Sequence, residues 1–127
     1  MELLQEGARC DPPRIEFHDR EVWWASFGIN VGVEINGKNS AFERPCLILT
    51  KFNKEMAWAI PAVSKDRDSM FYLRIEIDGK PFILALSQLR TISSKRLLRK
   101  EGMVPISTYI EIKRRIMEFL ITKKDPP

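Results

Sequence analysis

"SMFYLRIEIDGKPFILALSQ", residues 69–88, holds two runs rich in β-favouring residues with Asp-Gly between them. Asp-Gly tolerates the left-handed backbone that a tight hairpin turn requires, so "SMFYLRIEI" and "FILALSQ" are expected to pair about "DGKP". Working back from this hairpin, "EVWWASF", residues 21–27, alternates Val22, Trp24 and Ser26 against Trp23, Ala25 and Phe27, which predicts a strand with one aromatic on each face. "PCLILTKF" begins with Pro45 at a first strand position, where no ladder donor is needed. "EMAWAIPAVSK" reads as a third strand, with Pro61 marking its end, a bulge or an edge. Arg90 to Ser93 adds one short strand, and then the period changes.

"SSKRLLRKEG", with Ser94 as a possible N-cap and Gly102 as a stop, predicts a short basic helix with Leu97 and Leu98 inward. Thr108 and Glu111 have capping-box spacing ahead of Ile112, Ile116, Phe119 and Leu120, which share one helical face. Strands first and helices last predict an α+β, mainly β fold: a small barrel without internal repeats. The expected domain spans 17–121, with an N-terminal tail at 1–16 and a C-terminal tail at 122–127.

The chain has 127 residues, 44% of them apolar and 30% charged, enough for one domain with a real core. No stretch reaches the roughly 18 apolar residues of a membrane span, and "MELLQEGARCDPPR" lacks the basic head and apolar run of a secretory signal. A cytoplasmic setting is expected. Cys10 and Cys46 form no C-x-x-C and no Cys/His cluster, and His18 is the sole histidine, so neither a disulfide framework nor a metal centre is expected. The net charge of +4 leans weakly toward a polyanionic partner.

Between the first two strands lies "GINVGVEINGKNSAFE", a polar stretch bearing Gly28, Gly32 and Gly37, of the kind that carries binding groups over a rigid scaffold. Arg44 ends that loop and opens a strand. A guanidinium so rooted suits two phosphate oxygens at once, though the same arginine could instead pair with Glu34 or Glu43. Glu34 is either a general base or that partner. Ser64, beside Lys65, could donate to a phosphate or serve only the turn. Gln88 and Arg90 could reach bases or phosphates from a strand end, or Gln88 could satisfy a neighbouring backbone group. The run Lys95, Arg96, Arg99 and Lys100 reads as a solvated face unless it shares a groove with Arg44.

Taken together, "REVWW", "GVEING", "ERPCLIL", "IPAVS" and "LSQLRTISSKRL", in this order over about Phe17 to Leu120, resemble the MazF/PemK family of toxins from bacterial toxin–antitoxin pairs. The resemblance implies an SH3-like β-barrel with a C-terminal helix, a homodimer and a small antitoxin partner. It also implies metal-independent cleavage of single-stranded RNA at short sequences, with no cofactor. Gly32, Glu34, Gly37, Arg44 and Pro45 correspond to the family's loop pattern, whose arginine is catalytic. Arg44, Ser64 and Glu34 are then the expected catalytic residues, and Gly32, Asn36, Gly37, Lys38, Lys65, Gln88 and Arg90 the expected RNA contacts. Two positions depart from the pattern: Val63 stands where the family has a threonine, and Ser87 where it has an acid. Val63 favours a second reading, a weakened member that binds RNA or antitoxin; a third, a gyrase-directed toxin on the same barrel, fits less well because the arginine loop resembles the RNA-cleaving branch.

Overall fold

The computed structural model describes residues 15–27, 43–65 and 67–122, with residue 122 described by its backbone alone. Within them, β1 (Glu21–Ser26), β2 (Glu43–Asn53), β3 (Met56–Val63), β4 (Tyr72–Ile77), β5 (Lys80–Ala85), β6 (Arg90–Ser93) and β7 (Leu97–Met103) precede one helix, α1 (Ile106–Thr122). The strands form one antiparallel sheet in the order β4-β5-β3-β2-β1-β7, with β6 also on β3.

The Asp-Gly hairpin forms as expected. Asp78 and Gly79 both have positive φ, 53° and 80°, and Ile77 pairs directly with Lys80. Two consecutive left-handed residues give a turn whose twist matches the strands it joins. The β2–β3 turn is closed differently: the Asn53 side chain accepts a 2.8 Å hydrogen bond from the Glu55 N–H.

The sheet curls into a half-barrel because both of its faces carry a core. One cluster joins Phe17, Trp23, Ala25, Cys46, Ile48, Ala59, Ile92 and Leu97. The other joins Val22, Leu47, Ile60, Leu84, Ile75 and Ile77 to Tyr109 and Ile112 of α1. Cys46 to Leu49 are therefore all buried, which is why that stretch reads as a continuous apolar run. Burial pushes the Cys46 thiol up to about 12, so it packs as a small apolar side chain. The sheet's two ends come back together where the Ile77 side chain lies against Gly102, a position with no room for a Cβ.

Three expectations need correction. "SSKRLLRKEG" is not a helix: Ser94–Arg96 is a single 3-10 turn, and Leu97–Met103 is β7, paired with β1. The cap is Ser93, which accepts from Lys95 N at 3.1 Å, and Gly102 is a close-packing point instead of a stop. Pairing with a distant strand overrides the local helical tendency of Lys, Arg and Leu.

The capping box does not start α1. The helix begins at Ile106, directly after Pro105, and the Tyr109 N–H already bonds Pro105 O at 3.0 Å, so Thr108 lies within the first turn. Leu120 does not share the buried face either, being 79% exposed. That face consists of Tyr109, Ile112, Ile116 and Phe119, and the Tyr109 hydroxyl donates to Leu49 O at 2.8 Å. No helix among the described residues is long and apolar enough to cross a membrane.

Candidate functional site

Arg44 is the second residue of β2, opposite Ala25 of β1. Pairing of β2 with β3 runs from Asn53 and Met56 to Cys46 and Pro61. Beyond Pro61, β3 pairs Ala62 and Val63 with Leu84 and Ile83 of β5. Pro61 thus falls where the strand changes partner, a place that tolerates a residue without an N–H. The parting of the strands opens a groove of about 530 Å³, lined by Arg44, Val63, Ser64, Arg74, Phe82 and Ile83 among others.

The Arg44 side chain is exposed and reaches across the gap, where its Nη1 donates to Ala62 O at 3.5 Å. Among the described residues that carbonyl, and no carboxylate, is its polar contact. Glu43, one of the two acids that could have neutralised it, is engaged by Arg99 Nη1 at 3.3 Å. Glu34, the other, lies outside the described residues.

The wall beside Arg44 is tied together by charged hydrogen bonds. Arg99 stacks over the Trp24 ring at 4.9 Å, and the Trp24 indole N–H donates to Glu101 Oε1 at 2.8 Å. Lys80 Nζ holds the other Glu101 oxygen at 3.1 Å. The Trp24 hydrogen bond, with that of Lys80, lowers the Glu101 carboxyl below its ordinary range. The acids on this wall are thereby occupied, and the groove keeps a net cationic lining.

The remaining predicted residues scatter. Ser64 follows the end of β3, exposed, at the groove; Val63 before it is half-buried. Lys65 is exposed just beyond the lining. Gln88 closes a 3-10 turn over Leu86–Gln88 instead of ending a strand, and it is exposed away from the groove. Arg90 begins β6 with its guanidinium 5.3 Å from the Phe27 ring centroid, also outside the groove. Gly32, Glu34, Asn36, Gly37 and Lys38 lie outside the described residues. Lys95 flanks a second groove, beside the β2–β3 turn.

Trp24 and Arg74 are the groove residues that reading the sequence for function passed over. Arg74 occupies a polar slot in an alternating strand, and only the placement of β5 against β3 brings it to this site. His18 takes part in a separate cluster at the foot of β1. There the buried Glu21 carboxylate accepts from His18 N and Trp23 Nε1, each at 2.9 Å, and pairs with Lys100 at 3.0 Å.

A family model described as the PemK-like, MazF-like toxin of type II toxin–antitoxin systems matches residues 18–120. No curated protein matches the chain in sequence. Among solved structures, the fold is similar to the MazE-MazF complex of Deinococcus radiodurans, with TM-score 0.61 and 15% identity over 82% of this chain and 94% of that one. An endoribonuclease bound to its cognate antitoxin, from Mycobacterial species, superposes with TM-score 0.63 at 12% identity, covering 87% of this chain and all of that one. The Mycobacterium tuberculosis toxin MazF-mt6 gives 0.61 at 16% identity over 80% and 96%.

Proposed function

Because this chain belongs to the PemK-like, MazF-like toxin family of type II toxin–antitoxin systems, we propose that it is an endoribonuclease that cuts single-stranded mRNA with Arg44 as its phosphate clamp. The observation that carries this reading is a strand-anchored guanidinium in an open groove, bonded to a backbone carbonyl, with the adjacent acid Glu43 bound to Arg99. A planar fork that keeps its proton at any working pH matches two oxygens of a phosphodiester.

The nucleophile in this scheme belongs to the substrate. The ribose 2′-oxygen attacks the adjacent phosphorus, the bond to the leaving 5′-oxygen breaks, and a 2′,3′-cyclic phosphate remains. The 2′-hydroxyl gives up its proton to a base, a role that falls to Glu34, and the departing 5′-oxygen takes one up. Arg44 stabilises the charge that builds on the phosphoryl oxygens, and Ser64 supplies a neighbouring hydroxyl. No step requires a metal or another cofactor.

A second reading has its own support. Val63, at the position where the resemblance in sequence places the family's threonine, has methyl groups and no hydroxyl, which supports a weakened member that binds RNA or antitoxin without efficient cleavage. The partners proposed are single-stranded RNA in the groove, a cognate antitoxin and a second copy of the chain, in the cytoplasm. An outward stripe on α1, formed by Ile106, Ile110, Met117 and Ile121, all more than half exposed, fits the homodimer.

The test is incubation of the purified protein with single-stranded RNA in excess chelator, followed by analysis of the fragment ends. Cyclic-phosphate ends support the nuclease; RNA that is bound but uncut supports the second reading.

A further inference from the structure

We propose, on the basis of the RNA reading above, that Arg74 is a second phosphate-binding residue and that one nucleotide unit spans the apolar floor between Arg74 and Arg44. The argument rests on register. Arg74 is the direct partner of Ile83, and Ile83 is the direct partner of Val63. Past the Cys46–Pro61 pair β2 and β3 part, and Arg44 and Val63 line the two sides of the gap between them.

Directly opposed residues in antiparallel strands project from the same face of the sheet. Val63, Ile83 and Arg74 therefore form one cross-strand row, and Arg44 faces its open end across the gap, with a cation at each end and two half-buried aliphatic side chains between. The flanking row, Ala62, Leu84 and Leu73, turns the other way into the core beneath α1. All four residues, Arg44 included, line the same groove.

Two inter-strand steps of roughly 4.8 Å set Val63 and Arg74 on the order of 10 Å apart, and the gap between β2 and β3 adds to that span before Arg44 is reached. Two arginine side chains leaning over that span leave room for a sugar and a base. A chain whose charges alternate with flat, apolar-faced rings matches an aliphatic floor between two cations.

The experiment measures binding of a short single-stranded RNA across a salt series for the wild type, Arg74→Gln and Arg74→Lys, with thermal melts to confirm folding. Each phosphate contact on a single strand contributes a slope of about −0.7 in log K against log salt. Arg74→Gln is expected to reduce the slope by about that amount and Arg74→Lys to restore it. An unchanged slope in Arg74→Gln, with the wild type binding normally, overturns the proposal while leaving the reading of Arg44 intact. A wild type that binds no RNA in a salt-dependent way removes the RNA reading itself, and the proposal with it. A deficit seen only with poly-glutamate as the probe would assign Arg74 to an acidic protein partner and also overturn it.

Discussion

Val63 faces Arg44 across the groove that opens where β2 and β3 part, beyond their last bonded partners, Cys46 and Pro61. The side chain facing the arginine there is thus aliphatic, and the hydroxyl of Ser64 sits one residue further on, after the strand has ended. Restoring a hydroxyl at position 63 is expected to help chemistry. Val63→Thr keeps the volume, adds a donor beside the phosphate and should raise the single-turnover cleavage rate. An equal or lower rate, with RNA affinity unchanged, would show that Val63 does not occupy the threonine's place.

Gly102 meets the Ile77 side chain where the two ends of the sheet approach. Gly102→Ala forces its methyl group into that contact, and overpacking of this kind costs about 1–3 kcal/mol. Urea denaturation should show a lower midpoint with an unchanged slope. A midpoint equal to wild type would mean that β4 and β7 move apart freely.

Glu21 gives a pH-dependent contribution to stability. Burial alone would raise its carboxyl, but hydrogen bonds from Trp23, Lys100 and the His18 N–H outweigh that and lower it below 4.5. A carboxyl lowered in the folded state stabilises above its unfolded value and loses that contribution as pH falls through the folded one. Glu21→Gln should therefore melt earlier than wild type at pH 7, with the gap closing below about pH 4.5. A gap that stays constant to pH 3 would assign the loss to packing instead of charge.

The α1 stripe makes the oligomer testable without touching the groove. Ile110 and Met117 are 56% and 57% exposed, so charge at either costs the isolated chain little. Sedimentation should show the wild type as a dimer and Ile110→Lys/Met117→Lys as a monomer. Two dimeric species would place the contact elsewhere.

What could be read from the chain divides by the range of the interaction that decides it. Asp78 and Gly79 settle their hairpin locally, through two backbone angles, so the turn is visible in four letters. Trp23 and Trp24 point to opposite faces because alternation is a local rule, and it holds. Leu97 to Met103 misleads because lysine, arginine and leucine favour a helix, while the pairing with Glu21 to Ala25 that makes them a strand is some 75 residues away in sequence. The site follows the same division. Arg44 is conspicuous at the junction of a polar loop and an apolar strand, whereas Arg74 is an ordinary outward residue until β5 is laid beside β3.

The most direct measurement is the cleavage rate of Arg44→Ala at saturating single-stranded RNA in chelator, beside wild type and with matched thermal melts. Loss of one well-aimed donor to a developing oxyanion should lower the rate by about a hundred- to a thousand-fold while the melt is unchanged. A folded variant that still cuts within a few-fold of wild type would mean that this guanidinium does not hold the reacting phosphate.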